Sequence, residues 1–541
     1  MKGKQAAITI LSLALVATAC SGGGTEGTGG TGGSDDPPTP GGSPQAVENL
    51  NPSGFPIVDE PIQLRFVAGR SATTAQDWNN VMLFDEYEKM TGIDIQWQMI
   101  GTEVLSEQRN LMLTGGDLPD AFYAASVPNQ DIMRYGMQGA FIPLNDLIEE
   151  HAPNIKQLLD DNPDIRKGMT MPDGNIYSIP RVYDPEFDSV FYNPKLWVNE
   201  ELMQELNLDM PQTTDEFYDF LVKLKEANGG NAPFGADNIN RIIKLFNGFW
   251  GLQNKGSQHA YVDIDPDTNE LRFIPTEEKY KEMLQYLNRL YEDGLIDRDI
   301  FTINSTEFTV RLQDDRYGAF IGWDPISYDL GEEFVGADVL EGPHGDKTVV
   351  KNSTIAGLGT FVITNANKHP EATMRWIDYF FSEEGMRMFY AGFEGVTYEV
   401  TDGGEIQYVE EIMNHPDGLS FEQALVKYLV WPGGGMPGII SQSYFFGGES
   451  LPSSIAAADK VKQYMNEEAW PAFSYKEEEV DRMNALSSDI NTYIREQQAK
   501  FISGAASFAE WDSYVQTIQR MGLEDYMQIY QAAYDRYRSD N

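Results

Sequence analysis

Four tryptophans at predicted element ends are the residues whose surroundings point most clearly to chemistry. They are Trp78, Trp250, Trp323 and Trp431, and the last three lie next to glycine or proline. An exposed indole is costly in water, but the apolar C–H face of a sugar ring stacks on it, while carboxylates and amides bind the hydroxyl groups. Core packing is the alternative for any single one. For the set, we predict at least one or two in a sugar cleft.

The acidic run Asp263–Glu270 imitates the start of a calcium loop, with carboxylates at alternate positions. The glycine that such a loop needs at its sharp turn is missing, however, and Pro266 intrudes. The twelfth position, which should hold a glutamate, is Ile274. Alternating apolar residues on both sides favour the tip of a β-hairpin. We therefore predict a turn, with a calcium site as the alternative.

The usual catalytic signatures are missing from the sequence. It contains no H-E-x-x-H, no G-x-x-x-x-G-K-[ST] and no G-x-S-x-G. The five histidines are scattered singly, which favours surface loops over a metal site. Among 84 acidic residues some pair will lie close enough for glycoside hydrolysis, but nothing selects one. We predict no enzyme activity, no cofactor and no metal, with a hydrolase as an alternative.

Composition and charge limit the class of partner. The chain has 541 residues, 41% of them hydrophobic, which is enough for a large core split between two lobes. Its net charge of −45 repels polyanions, so nucleic acid is excluded as a partner unless a local basic pocket opposes the field. Acidic surfaces also simply keep extracellular proteins in solution. The net charge therefore does not indicate which ligand the protein binds.

The N-terminal segment predicts export. Lys2 and Lys4 precede a short apolar run that ends in small residues before Cys20, the only cysteine. This pattern resembles a bacterial lipoprotein signal, in which the cysteine becomes the lipidated first residue; an ordinary secretory signal is the alternative. We predict a signal peptide at 1–19, lipidation of Cys20, and a flexible Gly/Ser/Pro tether at 20–58.

Strand and helix patterns alternate after residue 60. Ile62, Leu64 and Phe66 alternate with polar residues as a first strand, and two helices and two further strands follow to about residue 123. This order predicts a parallel α/β sheet with right-handed crossovers. Ligands of such sheets bind outside the carboxyl ends of the strands. The residues placed there are Arg70, Ser71, Trp78, Ser126 and Asn129.

The remaining chain has the elements of a second lobe. Helices are predicted over 214–226 and 277–293, and buried strands over 317–323 and 355–364. Between the two regions, residues 181–193 read as extended chain, which suits a crossing between lobes. A proline-started helix follows Pro370 and is predicted to stop near Gly385. The chain from about residue 476 is predicted to be mostly helical.

Several short motifs, taken in order, resemble one family. They are T-G-G-D-L-P-D at 114–120, D-G-N-I-Y-S-I-P at 173–180, Y-E-D-G-L-I-D at 291–297 and E-G-V-T-Y at 394–398. With the lipoprotein start, they are similar to the large Gram-positive subgroup of family 1 extracellular solute-binding proteins, which serve carbohydrate ABC importers. The resemblance runs from about residue 60 to 538.

The resemblance implies the fold and the partners. The fold class is α/β, a two-lobed periplasmic-binding-protein-like fold of type II, with a mixed sheet in each lobe and a hinge of crossing segments. We expect lobe 1 at 59–183 plus 347–378 and lobe 2 at 184–346 plus 379–541. A monomer anchored through Cys20 on the outer face of the cell membrane would then close over an oligosaccharide and deliver it to ABC permease subunits.

Some relatives carry a calcium loop after the helix that corresponds to 214–226, but A-N-G-G-N-A-P at that place lacks the acidic ladder. We therefore do not predict a metal site at this place from the resemblance. Because ligand residues vary with substrate in this family, the predicted site residues are chosen by position. They are Trp78, Asp120, Tyr183, Trp250, Trp323 and Asp324.

Three rival functions stay open at this stage: a secreted polysaccharide-active hydrolase, a surface sensor or adhesin that binds glycans without transport, and a binding protein of the same fold for peptide or another small solute.

Overall fold

The computed structural model describes residues 48–71, 73–314, 316–434 and 436–539. The predicted signal peptide, Cys20 and most of the predicted tether lie outside these residues. Within them, none of the helices combines the length and the apolar character that crossing a membrane requires.

The strands of the described residues are three to nine residues long. They are β1 (Ile62–Arg70), β2 (Ile93–Gly101), β3 (Ala121–Val127), β4 (Ile179–Tyr183), β5 (Lys195–Asn199), β6 (Phe234–Ala236), β7 (Val262–Ile264), β8 (Leu271–Phe273), β9 (Ala319–Gly322), β10 (Phe334–Gly336), β11 (Ile355–Ile363), β12 (Tyr398–Val400), β13 (Ile406–Tyr408) and β14 (Gly438–Ile440).

The α-helices lie between and after these strands. They are α1 (Met82–Thr91), α2 (Thr102–Gly115), α3 (Asn129–Met137), α4 (Asn145–His151), α5 (Pro153–Asp161), α6 (Pro163–Met169), α7 (Asp188–Phe191), α8 (Glu200–Glu205), α9 (Thr214–Ala227), α10 (Ile239–Phe249), α11 (Glu278–Glu292), α12 (Ser305–Gln313), α13 (Pro370–Asp378), α14 (Glu383–Tyr390), α15 (Glu410–Met413), α16 (Phe421–Leu425), α17 (Pro452–Val461), α18 (Glu477–Ser503), α19 (Trp511–Arg520) and α20 (Leu523–Ser539). The helix predicted after Pro370 is interrupted, because Ser382 caps a new helix at its N-terminus and Gly385 lies inside that helix.

The first sheet has the strand order β14-β4-β11-β3-β1-β2. β1 pairs in parallel with both β2 and β3, as the alternation of strands and helices predicts. β11 runs antiparallel between β3 and β4, so the sheet is mixed. Phe66, Val67 and Ala68 are all buried, because helices cover both faces of the sheet.

A second, four-stranded sheet has the order β10-β5-β9-β6. β6 and β9 are parallel, so their carboxyl ends lie at the same edge, whereas β5 is antiparallel to β9. The remaining pairs, β7–β8 and β12–β13, are antiparallel hairpins.

Two main hydrophobic cores divide the chain. The first contains residues between Ile57 and Phe191 and between Ile355 and Phe445, whereas the second contains residues between Tyr192 and Val349 and between Val461 and Ala533. The chain therefore crosses between cores at about residues 191–192, 350–354 and 446–460. The predicted crossing at 181–193 is the first of these.

Hydrogen bonds join the crossing segments to one another. The backbone N–H of Tyr183 donates to the carbonyl of Thr354 (2.8 Å), and that of Asn352 donates to the carbonyl of Phe191 (2.9 Å). The Asn352 side chain also donates to the carbonyls of Val190 and Asn193, at 3.0 and 3.1 Å. The segments thus form one hydrogen-bonded unit between the cores.

The cores differ from the predicted lobe boundaries by a few residues at 184–191 and at Val349, and by more in two other places. Residues from Phe380 to Phe445, expected in lobe 2, belong to the first core, to which β14 adds an edge strand. Ile57 and Val58, expected in the tether, are also buried in the first core, because the N–H of Ile57 bonds to the carbonyl of Thr91. Both differences come from contacts distant in sequence.

Candidate functional site

The carboxyl end of β3 opens into a cavity of about 290 Å³ beside the first sheet. Ser126 and Asn129, both expected on the ligand face, line it together with Arg181 from β4. Gln258 and Ala472 line the opposite wall, and both belong to segments that flank the second core. The cavity therefore lies in the cleft between the two cores, where sheets of this kind bind ligands.

The end of β3 has an unusual backbone conformation. Ala124 and Ser126 both have positive φ angles of 50°, a region that non-glycine residues rarely adopt. The buried side chain of Arg109 on α2 holds this segment, because its Nη1 donates to the carbonyls of Ala125 (2.8 Å) and Ser126 (2.7 Å). Arg109 thus fixes the strand end that lines the cavity.

A glycine-rich segment that includes Gly433 and Gly434 lies beside Ser71 and Arg181. Gly433 has a φ of +87° and packs so tightly on the loop after β1 that a Cβ would lie 2.1 Å from the hydroxyl of Ser71. A Cβ on Gly434 would lie 3.9 Å from Arg181 Nη1. Only glycine permits this approach, and it brings Ser71, the glycine-rich segment and Arg181 to one rim.

A second group of polar and aromatic side chains lies at the carboxyl ends of β6 and β9. Asp237 directly follows β6 and Trp323 directly follows β9, and because these strands are parallel neighbours the two residues share one edge of the sheet. Arg241, in the first turn of α10, binds Asp237 through Nε and through Nη2 (2.7 Å). Its guanidinium lies 5.0 Å from the ring centre of Trp323. We call Asp237, Arg241 and Trp323 the platform.

The platform combines the kinds of side chain that sugar-binding sites use, an aromatic face with charged and polar groups beside it. The side chain of Trp323 remains 41% exposed although Arg241 stacks on it, so part of the indole is open to a ligand. Arg241 Nη1 is buried and has no hydrogen-bond partner within the described residues.

Further polar residues connect the platform with the cavity. Lys244 Nζ donates to Asn352 Oδ1 (2.9 Å) and lies 3.5 Å from the carbonyl of Asn193, and its burial lowers its pKa to about 8. The Asn193 side chain donates to Glu449 (2.6 Å). Burial raises the pKa of Glu449, against the opposing effect of the charges of Lys195 and Arg181. We call Arg181, Glu449, Asn193 and Lys244 the polar row.

The structure places the predicted tryptophans very differently. Trp78 and Trp250 are each 2% exposed, and Trp431 is buried as well. Trp78 packs on Trp97 and Tyr123 in the first core. Trp250 packs on residues of the second core, which removes both of these predicted site residues from the cleft surface. Trp323 alone of the four is exposed.

The other predicted site residues have structural contacts. Asp120 lies before β3, at the amino end of the strand, and accepts from the N–H of Arg65 (2.7 Å). Asp324 is buried and accepts from Ser453 and Ser454, at 2.6 and 2.7 Å. Tyr183 ends β4 at the crossing, and burial raises the pKa of its phenol. Tyr183 and Asp324 both bond to crossing segments, Tyr183 to Thr354 and Asp324 to Ser453 and Ser454.

The residues that sequence reasoning missed are Asp237, Arg241, Arg181 and Glu449. For Asp237 a signal existed, because the strand-end rule that located Ser126 applies equally to β6. That strand has only three residues, however, and no alternation marks it. Arg181 lies in the crossing segment that was predicted, but nothing in its neighbours distinguishes it from other arginines.

The acidic run 263–270 forms the predicted hairpin turn between β7 and β8. Asp263 is fully engaged, because its carboxylate binds Arg272 Nε (2.6 Å) and the N–H of Asn254 (3.0 Å). Asp265 accepts from the N–H groups of Asp267 and Thr268, which shapes the turn. Within the described residues, no group of three or more His, Cys, Asp or Glu side chains is placed to hold a metal ion.

One histidine differs from the expected surface loop. The ring of His259 packs on Trp470 and Phe473, and its nitrogens contact Tyr530 and the carbonyl of Pro471. Burial lowers its pKa to about 4, so it is neutral at physiological pH.

Comparison with known proteins decides the family. The family model of the bacterial extracellular solute-binding proteins matches residues 76–387, more than half of the chain. The chain belongs to this family. The predicted resemblance is therefore confirmed, and the family comprises binding proteins rather than enzymes.

Individual relatives support the same conclusion. This solute-binding protein is 29% identical over 516 residues to the fructooligosaccharide ABC transporter substrate-binding protein FusA of Streptococcus pneumoniae, a match that covers 90% of this chain and 92% of FusA. It is also similar to the polygalacturonan/rhamnogalacturonan-binding protein YtcQ of Bacillus subtilis, with 22% identity over 330 residues. This match covers 58% of this chain and 62% of YtcQ.

A solved structure confirms the predicted two-lobed α/β fold. The structure of S. pneumoniae FusA in complex with kestose superimposes with a TM-score of 0.74 at 27% identity, covering 89% of this chain and all of that one. The mixed sheets and flanking helices of this solute-binding protein are thus those of a two-lobed substrate-binding protein.

Proposed function

We propose that this protein captures an oligosaccharide outside the cell and delivers it to the permease of a carbohydrate ABC importer. The observation that carries the proposal is the alignment with FusA, whose name records a fructooligosaccharide ABC transporter, along 90% of the chain. The cleft supports it, because an open indole and buried hydrogen-bonding groups are what a sugar needs.

In the mechanism that we propose, each lobe supplies part of the site. The first core contributes Ser126, Asn129 and Arg181, and the second contributes the platform. The sugar binds one wall while the cleft is open, the crossing segments bend, and the other wall completes the contacts. Closure is driven only by the preference of the ligand for the closed form. We also propose that the boundaries between the two lobes lie at about residues 191–192, 350–354 and 446–460.

We also propose that the protein is held at the membrane by lipid on Cys20. The support is the sequence of residues 1–20, together with the extracellular family. Intact-mass measurement of protein extracted from membranes is expected to give a chain that begins at Cys20 and carries acyl groups. A chain of unmodified mass released into the medium would instead indicate an ordinary secretory signal.

A thermal-unfolding screen tests the transport proposal. The purified protein is heated with fructo-, gluco-, manno- and galacto-oligosaccharides, and one linkage series is expected to stabilise it. A ligand at one hundred times its Kd adds about 2.7 kcal/mol to the free energy of unfolding. The sugar should be recovered intact. Recovery of cleaved sugar would show a hydrolase, and stabilisation by peptides alone would show a different cargo.

A further inference from the structure

We propose that the cleft selects neutral oligosaccharides over uronate-containing ones, and that Asp237 sets this preference by holding the charge of Arg241. The inference rests on the proposed function and specifies its substrate class. The relatives leave the class open, because FusA is named for fructooligosaccharides and YtcQ for polygalacturonan, a polyanion.

Arg241 is the cation nearest to the exposed indole, and it is already paired. Asp237 binds two nitrogens of its guanidinium, Nε and Nη2, in the two-point geometry that a uronate carboxylate would otherwise occupy. Asp237 is itself held by Asn238 Nδ2 (2.7 Å) and lies 3.4 Å from the hydroxyl of Ser305. Arg241 therefore has no free pair of nitrogens for a uronate carboxylate, because Asp237 holds Nε and Nη2 and Nη1 is buried.

The lysines behind the platform are also committed to the protein. Lys195 is buried, and its Nζ donates to the carbonyl of Ser189 (2.9 Å). Lys244 donates to Asn352, in the crossing segment. Burial lowers the pKa of both lysines to about 8.

Carboxylates accompany the remaining cation. Burial raises the pKa of Glu449, and the nearby charge of Arg181 opposes this rise. Burial, together with the neighbouring Glu449, raises the pKa of Glu422 to about 7. Glu449 is fixed in place by Asn193, which donates to it (2.6 Å), so the guanidinium of Arg181 already has a carboxyl group beside it. Together with the net charge of −45, this arrangement opposes an anionic ligand.

The test measures the affinity of the purified protein by calorimetry for kestose and other neutral trisaccharides and for trigalacturonate and trimannuronate. The best neutral ligand is expected to bind at least a hundredfold more tightly than either uronate. Its Kd should change less than twofold between 50 and 500 mM NaCl, because no ion pair with the ligand forms. Tighter binding of a uronate would overturn the inference and leave the proposed function standing. Binding of no sugar at all would overturn the proposed function itself.

Asp237→Asn tests the role of that residue. Removing its charge frees the guanidinium, so the affinity for the uronates is expected to rise at least tenfold relative to wild type. Asp237→Glu keeps the charge and is the matched control, which should retain the neutral preference. If Asp237→Asn is folded by its melting curve and gains nothing for uronates, Asp237 does not set the preference. If it does not fold, the salt dependence of the wild-type protein still decides between the two ligand classes.

Discussion

Trp323→Ala is expected to raise the Kd of the bound oligosaccharide about a hundredfold, which corresponds to about 2.7 kcal/mol. Trp323 is the tryptophan that combines high exposure, 41%, with a place beside buried polar groups. Truncation of such an aromatic anchor removes stacking area and leaves Arg241 without its partner ring. Calorimetric titration with the ligand found in the thermal screen measures the change.

Two further variants separate stacking from general damage. Trp323→Phe keeps an aromatic face and is expected to lose only about tenfold in affinity, or about 1.4 kcal/mol. Leu111→Ala, at a side chain that is 57% exposed on α2, removes a comparable exposed apolar group from a helix surface and should leave the Kd unchanged. Wild-type affinity in folded Trp323→Ala would place the sugar elsewhere in the cleft.

The same tryptophans show how far sequence reasoning reaches. Trp78, Trp250 and Trp323 were all predicted at the ends of elements, yet of the three only Trp323 is exposed. Their burial depends on contacts with distant residues, such as that of Trp78 with Tyr123. Local patterns can place a residue at the end of an element, but they do not tell what packs over it. Trp323 directly follows the end of β9 and is 41% exposed.

Part of the first sheet was predictable because its strands have a clear local sequence pattern. The local alternation of apolar and polar residues predicts β1 to β3, and helices connect these strands in order. β14 has three residues and joins the same sheet from more than two hundred positions away. No local signal assigns such a segment to one core or the other. This explains why residues 380–445 were expected in the second lobe.

Arg109 illustrates a functional contribution that sequence could not reveal. It lies in a predicted helix as one polar residue among several, but its side chain is only 3% exposed. Arg109→Met is expected to lower the free energy of unfolding by about 3 kcal/mol, because two carbonyls at the end of β3 lose their donor and each such loss costs about 1–3 kcal/mol when buried. Denaturant unfolding measures the change.

The variant should also weaken ligand binding, which a purely structural residue far from the cleft would not do. Without the guanidinium, Ala124 and Ser126 are free to leave their positive φ angles, and Ser126 then no longer lines the cavity in the same position. Arg134→Met, an exposed arginine on α3, is the matched control and should change neither quantity. If Arg109→Met lost stability but kept full affinity, the strained end of β3 would serve packing alone. Loss of both would mean that the helix behind the sheet holds the strand end in the conformation that the sugar requires.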